Sequence, residues 1–215
     1  RQIDPQRVVD FRREHPDYAV VAYVNTTAQL KAVSDVCVTS SSAVKIVRAL
    51  PQTHILFLPD KNLGAFVASQ VPEKHIVTWE GYCPVHNALT VQDVLDAKAA
   101  HPGAAVAMHP ECPPDVLALA DMKGSTADII RYIRGTTGEV LVATERGVVD
   151  RLSADYPGRL FQVGGETLTC PDMKITTVDS LAAAMAGKGG EDMQLDGALM
   201  DAARSSLVRM IELGA

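Results

Sequence analysis

The sequence predicts an α/β protein made of repeated three-layer αβα units with parallel sheets. Two observations carry this expectation. Apolar runs of strand length alternate with helical stretches along the chain, the pattern of βαβ units whose sheets are covered on both faces. The chain also repeats itself. His15-Pro16 ahead of one apolar run is matched by His101-Pro102 ahead of another, an offset of 86 residues (15 to 101). The same offset relates Tyr23 to His109, Ala32 to Ala118, Asp35 to Asp121 and Ser40 to Thr126. A period of this kind marks a duplicated structural unit.

The first unit reads as strand 19–24, helix 28–33, strand 36–38, helix 42–50, strand 55–58, helix 63–71 and strand 76–78. The strand segments are short, unbroken apolar runs, as expected of parallel strands buried on both faces. Residues 92–100 form a helix linking this unit to its copy. The units are therefore bounded as 1–86 and 87–172. Residues 173–215 hold a flexible linker at Gly187-Lys188-Gly189-Gly190 and a final amphipathic helix near 195–213. That helix needs a surface, and neither unit obviously offers one. It is expected to dock on a further unit that the sequence lacks.

Composition narrows the function classes. The chain has 215 residues, room for one large or two small domains. At 47% hydrophobic and 21% charged it is an ordinary folded protein rather than a disordered tail. Twenty basic residues face 26 acidic ones, and aromatic residues make up only 5%. With no basic block, this argues against nucleic acid as a partner. No run of about 18 apolar residues exists to cross a membrane. Residues 1–10 are too polar for a signal peptide, so a cytoplasmic location is expected. In that compartment the four cysteines are free, metal-bound or catalytic sooner than disulfide-paired.

In parallel α/β units, ligands bind beyond the carboxyl ends of the strands. Two equivalent ends carry polar residues: Tyr23 and Asn25 in one unit, His109 and Glu111 in the other. A hydroxyl follows 17 residues after the first member of each pair, at Ser40 and Thr126. Thr39-Ser40-Ser41 and Gly124-Ser125-Thr126 open helices, where free N–H groups favour a carboxylate or phosphate. Plain helix capping would explain these hydroxyls equally well. His109 and Glu111, two apart on a strand, point the same way and pair a candidate acid or base with a carboxylate.

Cys83 and Cys170 occupy one position of the repeat to within a residue, and each precedes a proline. Two thiolates fall short of the three or four ligands a metal site normally takes. One period upstream of Cys83 falls before Arg1, so a third repeat carrying a third ligand is expected upstream. Cys37, inside Val36-Cys37-Val38, reads as core, and Cys112 has no cysteine at its repeat position; neither is expected to be a ligand.

These segments together resemble the quinolinate synthase family, iron–sulfur enzymes of de novo NAD biosynthesis. The matching stretches are Tyr23-Val24-Asn25-Thr26-Thr27-Ala28, Thr39-Ser40, Pro59-Asp60-Lys61-Asn62-Leu63-Gly64 and residues 81–86. They continue through His109-Pro110-Glu111-Cys112, Gly124-Ser125-Thr126, Ala143-Thr144-Glu145 and Cys170-Pro171-Asp172-Met173-Lys174. The resemblance implies three similar α/β domains in pseudo-threefold arrangement, the first of them largely missing here. It implies condensation of iminoaspartate with dihydroxyacetone phosphate to quinolinate, with loss of phosphate and water. It also implies a 4Fe–4S cluster on three cysteines, whose open iron is a Lewis acid. Cys83 and Cys170 would be cluster ligands, the third lying upstream of residue 1, and His86 would sit beside the cluster. Tyr23, Val24, Asn25, Ser40, His109, Pro110, Glu111 and Thr126 would line the substrate site, with Tyr23, His109 and Glu111 as its catalytic groups. Thr39 and Ser125 would be their neighbours. L-aspartate oxidase, which makes the unstable imine, is an implied partner. Two other readings use the same residues: a cluster-free α/β module binding a small anionic metabolite, and a stable remnant without ligand or activity.

Overall fold

The computed structural model describes residues 3–215. It opens with α1 (Pro5–Glu14), a helix the polar sequence start concealed. Asp4 caps it by accepting from the Gln6 N–H at 3.0 Å, and Pro5 sits where no donor is needed. Its apolar face, Val8 and Phe11, packs beneath the first sheet. The first unit continues through β1 (Tyr18–Tyr23), α2 (Ala28–Ala32), β2 (Val36–Val38), α3 (Ala43–Ala49), β3 (His54–Leu58), α4 (Lys61–Gln70) and β4 (His75–Thr78). A single turn, α5 (Pro84–Asn87), and then α6 (Val91–Ala100) lead into the second unit. There β5 (Ala105–Met108), α7 (Pro114–Leu117), β6 (Met122–Lys123), α8 (Thr126–Gly135), β7 (Val140–Ala143), α9 (Gly147–Ser153) and β8 (Leu160–Gln162) repeat the series. Two 3₁₀ turns, Gly165–Leu168 and Asp172–Lys174, precede α10 (Val178–Met185) and α11 (Gly197–Gly214).

Each unit forms one four-stranded sheet, all parallel, in the orders β2-β1-β3-β4 and β6-β5-β7-β8. The identical order is the duplication seen in three dimensions. Its internal logic is visible at Asp35 and Asp121. Each carboxylate accepts a backbone N–H from the neighbouring strand, from Val20 at 2.7 Å and from Val106 at 2.8 Å. Each also returns its own N–H to that residue's carbonyl at 2.9 Å. The central strands are buried except at their ends, and apolar side chains fill both faces of each sheet. That burial is what their uninterrupted apolar sequence encodes.

The terminal helix α11, for which the sequence offered no evident surface, lies across α2, β2 and α3 of the first unit. Ser206 is fully buried there, donating to the Lys31 carbonyl at 3.0 Å and standing 3.4 Å from Cys37 Sγ. Met210 and Leu213 extend the first core. The small residues Ala203 and Ser206 allow this close approach, a signal that hydrophobic periodicity does not capture. Met200, Val208 and Ile211 remain exposed on the outer face, as do Val178, Leu181 and Met185 of α10. No helix among the described residues is long and apolar enough to cross a membrane.

Candidate active site

One cavity of about 520 Å³ opens beyond the carboxyl ends of the central strands. Tyr23, Asn25, Ser40, His109, Glu111 and Thr126 line it together with Cys83 and Cys170. Residues spread over most of the chain thus converge on one pocket fed by both repeat units. Val24 and Pro110 are not part of this lining: the Val24 N–H extends the sheet to the Val38 carbonyl at 2.8 Å, and Pro110 is buried in its turn. Thr39 lies outside it too, its hydroxyl 2.9 Å from Ser41 Oγ and 3.0 Å from Ser42 Oγ. Ser125 is committed to a capping box, donating to Asp128 at 2.6 Å and accepting that residue's N–H. Thr126 is therefore the hydroxyl of this helix start that faces the cavity.

His109 and Glu111 are not on a strand, as the sequence reading had them. Strand β5 stops at Met108, and Pro110 turns the chain. The two residues are also not each other's main partner. Glu111 Oε2 stands 3.1 Å from His86 Nδ1 and 4.0 Å from His109 Nδ1. The backbone N–H of Glu111 donates to His109 Nδ1 at 3.3 Å. In a neutral ring this leaves the proton on Nε2, which points to Ser40 Oγ at 3.3 Å. Burial and the neighbouring His86 push His109 down to about 4, so its ring is neutral at physiological pH.

His86 behaves in the opposite way. Burial disfavours its charge, but Cys83 and Glu111 outweigh that and lift it to about 9. Its Nδ1 is 3.3 Å from Cys83 Sγ, its Nε2 is 3.4 Å from Thr144 Oγ1, and its ring stacks on that of His109 with centroids 4.7 Å apart. For Glu111, burial raises the carboxyl, yet the two histidines hold it below the usual carboxylate range. Tyr23 lies beside Ser40 and Glu111, and burial and the Glu111 charge push its phenol up to about 12. The pocket therefore holds a cationic imidazole, a carboxylate, a neutral imidazole and a neutral phenol. Asn62 ties the Glu111 turn to the first unit, donating to the Glu111 carbonyl at 2.9 Å.

The donor chemistry suits a thiophilic metal centre. Cys83 and Cys170 both face the cavity, while Cys37 and Cys112 are buried elsewhere in cores. Cys83 Sγ, a His86 ring nitrogen and a Glu111 oxygen lie within 4.8 Å of one another. Iron–sulfur clusters are held by cysteine thiolates, and these two thiols both reach the pocket. Sequence reasoning from spacing alone missed His86, Asp60, Thr144 and Glu145, all on this cavity. Asp60 and Glu145 did leave a signal, since each lies two residues beyond the third strand of its unit.

A family profile described as Quinolinate synthetase A protein matches residues 1–212. Quinolinate synthase of Caldicellulosiruptor saccharolyticus is 42% identical over 212 residues, 98% of this chain and 70% of that relative. The enzyme of Methanoregula boonei is 43% identical over 203 residues, 94% of this chain and 67% of its own. That of Clostridioides difficile is 37% identical over 212 residues, 98% and 69% respectively. Matches of this extent span both repeat units, and they show that the chain belongs to the quinolinate synthase family.

Proposed function

We propose that this cavity is the quinolinate-forming site, in which iminoaspartate condenses with dihydroxyacetone phosphate and phosphate and water are lost. The observation that carries the reading is the convergence of Tyr23, Asn25, Ser40, His109, Glu111 and Thr126 with two thiols in one pocket. Cys83 of unit 1–86 and Cys170 of unit 87–172 would hold a 4Fe–4S cluster with a third ligand from outside residues 1–215. When bound, such a cluster supplies an open iron that acts as a Lewis acid on the substrate.

The chain's own groups supply binding and proton transfer. Thr126 begins α8, whose free N–H groups and positive dipole end attract a substrate carboxylate or phosphate. Asn25 adds a neutral amide to the same wall. Ser40 lies between the His109 Nε2–H and the Tyr23 phenol, linking phenol, hydroxyl and imidazole into a path along which a proton can move. Both ends of that path are neutral at rest; a proton given up by the Tyr23 phenol leaves a phenolate beside the Ser40 hydroxyl, and His109 can pass on its Nε2 proton only as its Nδ1 takes one up. Glu111 is anionic and held by His86, which makes it an acceptor for a proton or an amine. An enzyme that oxidises L-aspartate, such as L-aspartate oxidase, is the partner reaction that would supply the imine.

Calorimetric titration of the chain with quinolinate tests the site. Binding is expected, to be displaced by dihydroxyacetone phosphate and weakened by Asn25→Ala and by Thr126→Ala. Binding that neither substitution changes would place the substrate elsewhere. Binding of quinolinate and other small anions alike, with no iron taken up, would favour a metabolite-binding module.

A further inference from the structure

We infer that Asp60 and Glu145 are matched positioning residues, each clamping the backbone of one pocket cysteine through its N–H so that the two thiols are aimed into the cavity. The inference rests on the reading of Cys83 and Cys170 as ligands. It assigns a function to two acidic residues that the chemistry above does not use.

The geometry is the same in both units. Asp60 lies two residues beyond the third strand of the first sheet and is 3% exposed. Its Oδ1 accepts the Leu63 N–H at 2.7 Å, capping α4, and its Oδ2 accepts the Cys83 N–H at 2.7 Å. Glu145 follows the corresponding strand of the second sheet and is 6% exposed. Its Oε2 accepts the Gly147 N–H at 2.7 Å, and its Oε1 accepts the Cys170 N–H at 3.4 Å. A second contact accompanies each. The Lys61 N–H bonds the Gly81 carbonyl at 2.7 Å, and the Arg146 N–H bonds the Leu168 carbonyl at 2.9 Å. In both cases the residue after the carboxylate grips the carbonyl two positions before the cysteine.

Each cysteine loop is thus held at two points on one strand end. A local bond at the next helix start, the α4 cap for Asp60 and the Gly147 N–H for Glu145, explains only one oxygen of each carboxylate, because the other reaches across 23 residues to Cys83 or 25 residues to Cys170. Aspartate in one unit and glutamate in the other achieve the same bond with side chains of different length. The units differ in charge balance. Lys174 Nζ lies 3.0 Å from Glu145, whereas the Asp60 carboxylate faces only backbone donors. Fixing a ligand's backbone in advance removes the ordering cost that metal binding would otherwise carry.

Asp60→Ser separates the clamp from the cap. Serine caps a helix about as well as aspartate but is too short to hold both Leu63 and Cys83. Glu145→Ala removes both acceptor oxygens of the second clamp. Three readouts are taken on the 215-residue chain: amide spectra with ¹⁵N-labelled cysteine, thermal unfolding, and Cd²⁺ titration followed by thiolate-to-metal absorption. In Asp60→Ser the Cys83 amide signal is expected to shift and exchange faster while that of Cys170 stays put; Glu145→Ala should do the reverse. Cd²⁺ affinity is expected to fall about 10- to 100-fold in Asp60→Ser while the chain still unfolds in one transition, at a Tm lowered only as far as loss of the Cys83 bond requires. A Cys83 amide and a Cd²⁺ affinity both unaltered by Asp60→Ser would overturn the inference. Loss of folding in Asp60→Ser would also count against it, since the carboxylate would then serve stability. Because these readouts need no cluster, failure of the chain to take up iron and sulfide would remove the cluster reading alone.

Discussion

Replacing Gly81 by alanine measures how tightly the Cys83 loop is seated. A Cβ at this position would stand 2.5 Å from the Pro59 carbonyl oxygen and 3.1 Å from the Pro59 Cβ. The nearer obstacle is backbone and cannot swing aside like a side chain. Ordinary contact begins at 3.4 Å, so loop and strand end must separate by the difference between 2.5 and 3.4 Å. A shift of that size breaks the Lys61 N–H bond to Gly81 and the Cys83 N–H bond to Asp60, both 2.7 Å long. The first contributes about 1 kcal/mol, and the second, made to a carboxylate, about 1.5–3 kcal/mol. The expected loss is therefore about 2.5–4 kcal/mol, read as a lower urea midpoint at unchanged slope. Gly135→Ala is the control. Nothing lies within 4 Å of its Cβ at the end of α8, so it should gain about 0.5–1 kcal/mol. A Gly81→Ala protein within about 0.5 kcal/mol of the parent would refute the clamp as drawn.

Other substitutions probe the site and its scaffold. His109→Ala should leave iron–sulfur absorption unchanged and slow quinolinate formation by about 10²–10⁴-fold, as loss of a proton-transfer group does; an unchanged kcat removes His109 from the chemistry. Ser125→Ala should cost about 1 kcal/mol through loss of the capping box. Burial raises the Asp128 carboxyl, but Ser125 and Arg131 overcome this and hold it below its ordinary value. Its contribution is thus fully present above the unfolded pKa and fades as pH falls through the folded one. Acid unfolding of Ser125→Ala should accordingly show a shallower limb, and superimposable curves would contradict that. Asp35→Ala and Asp121→Ala should each destabilise by about 1–3 kcal/mol in urea, since each leaves a strand N–H without its acceptor. Asp35 should cost the more because Arg12 also pairs with it at 3.1 Å.

Much of the fold was legible because the strands are unbroken apolar runs and the repeat shows twice what each run does. The eight observed strands fall where the runs and their 86-residue copies place them. Helix α1 was hidden because its buried face amounts to little more than Val8 and Phe11 among charged neighbours. The surface taken by α11 was hidden because the small residues Ala203 and Ser206 close the contact alongside Met210 and Leu213. Of the site, the strand-end residues and both cysteines could be named from spacing. The charge pattern could not: which of His86 and His109 faces Glu111 depends on where Pro110 turns the chain. The roles of Asp60 and Glu145 depend on loops brought together only after folding, through bonds spanning more than 20 residues.

The most direct test of the central claim is a count of iron and acid-labile sulfide. The chain would be reconstituted anaerobically, with a small thiol present to fill the coordination position that Cys83 and Cys170 leave open. Iron and sulfide bound in equal amounts, and lost in both Cys83→Ser and Cys170→Ser, is the predicted result. No bound iron, or uptake that either serine variant retains in full, would contradict it.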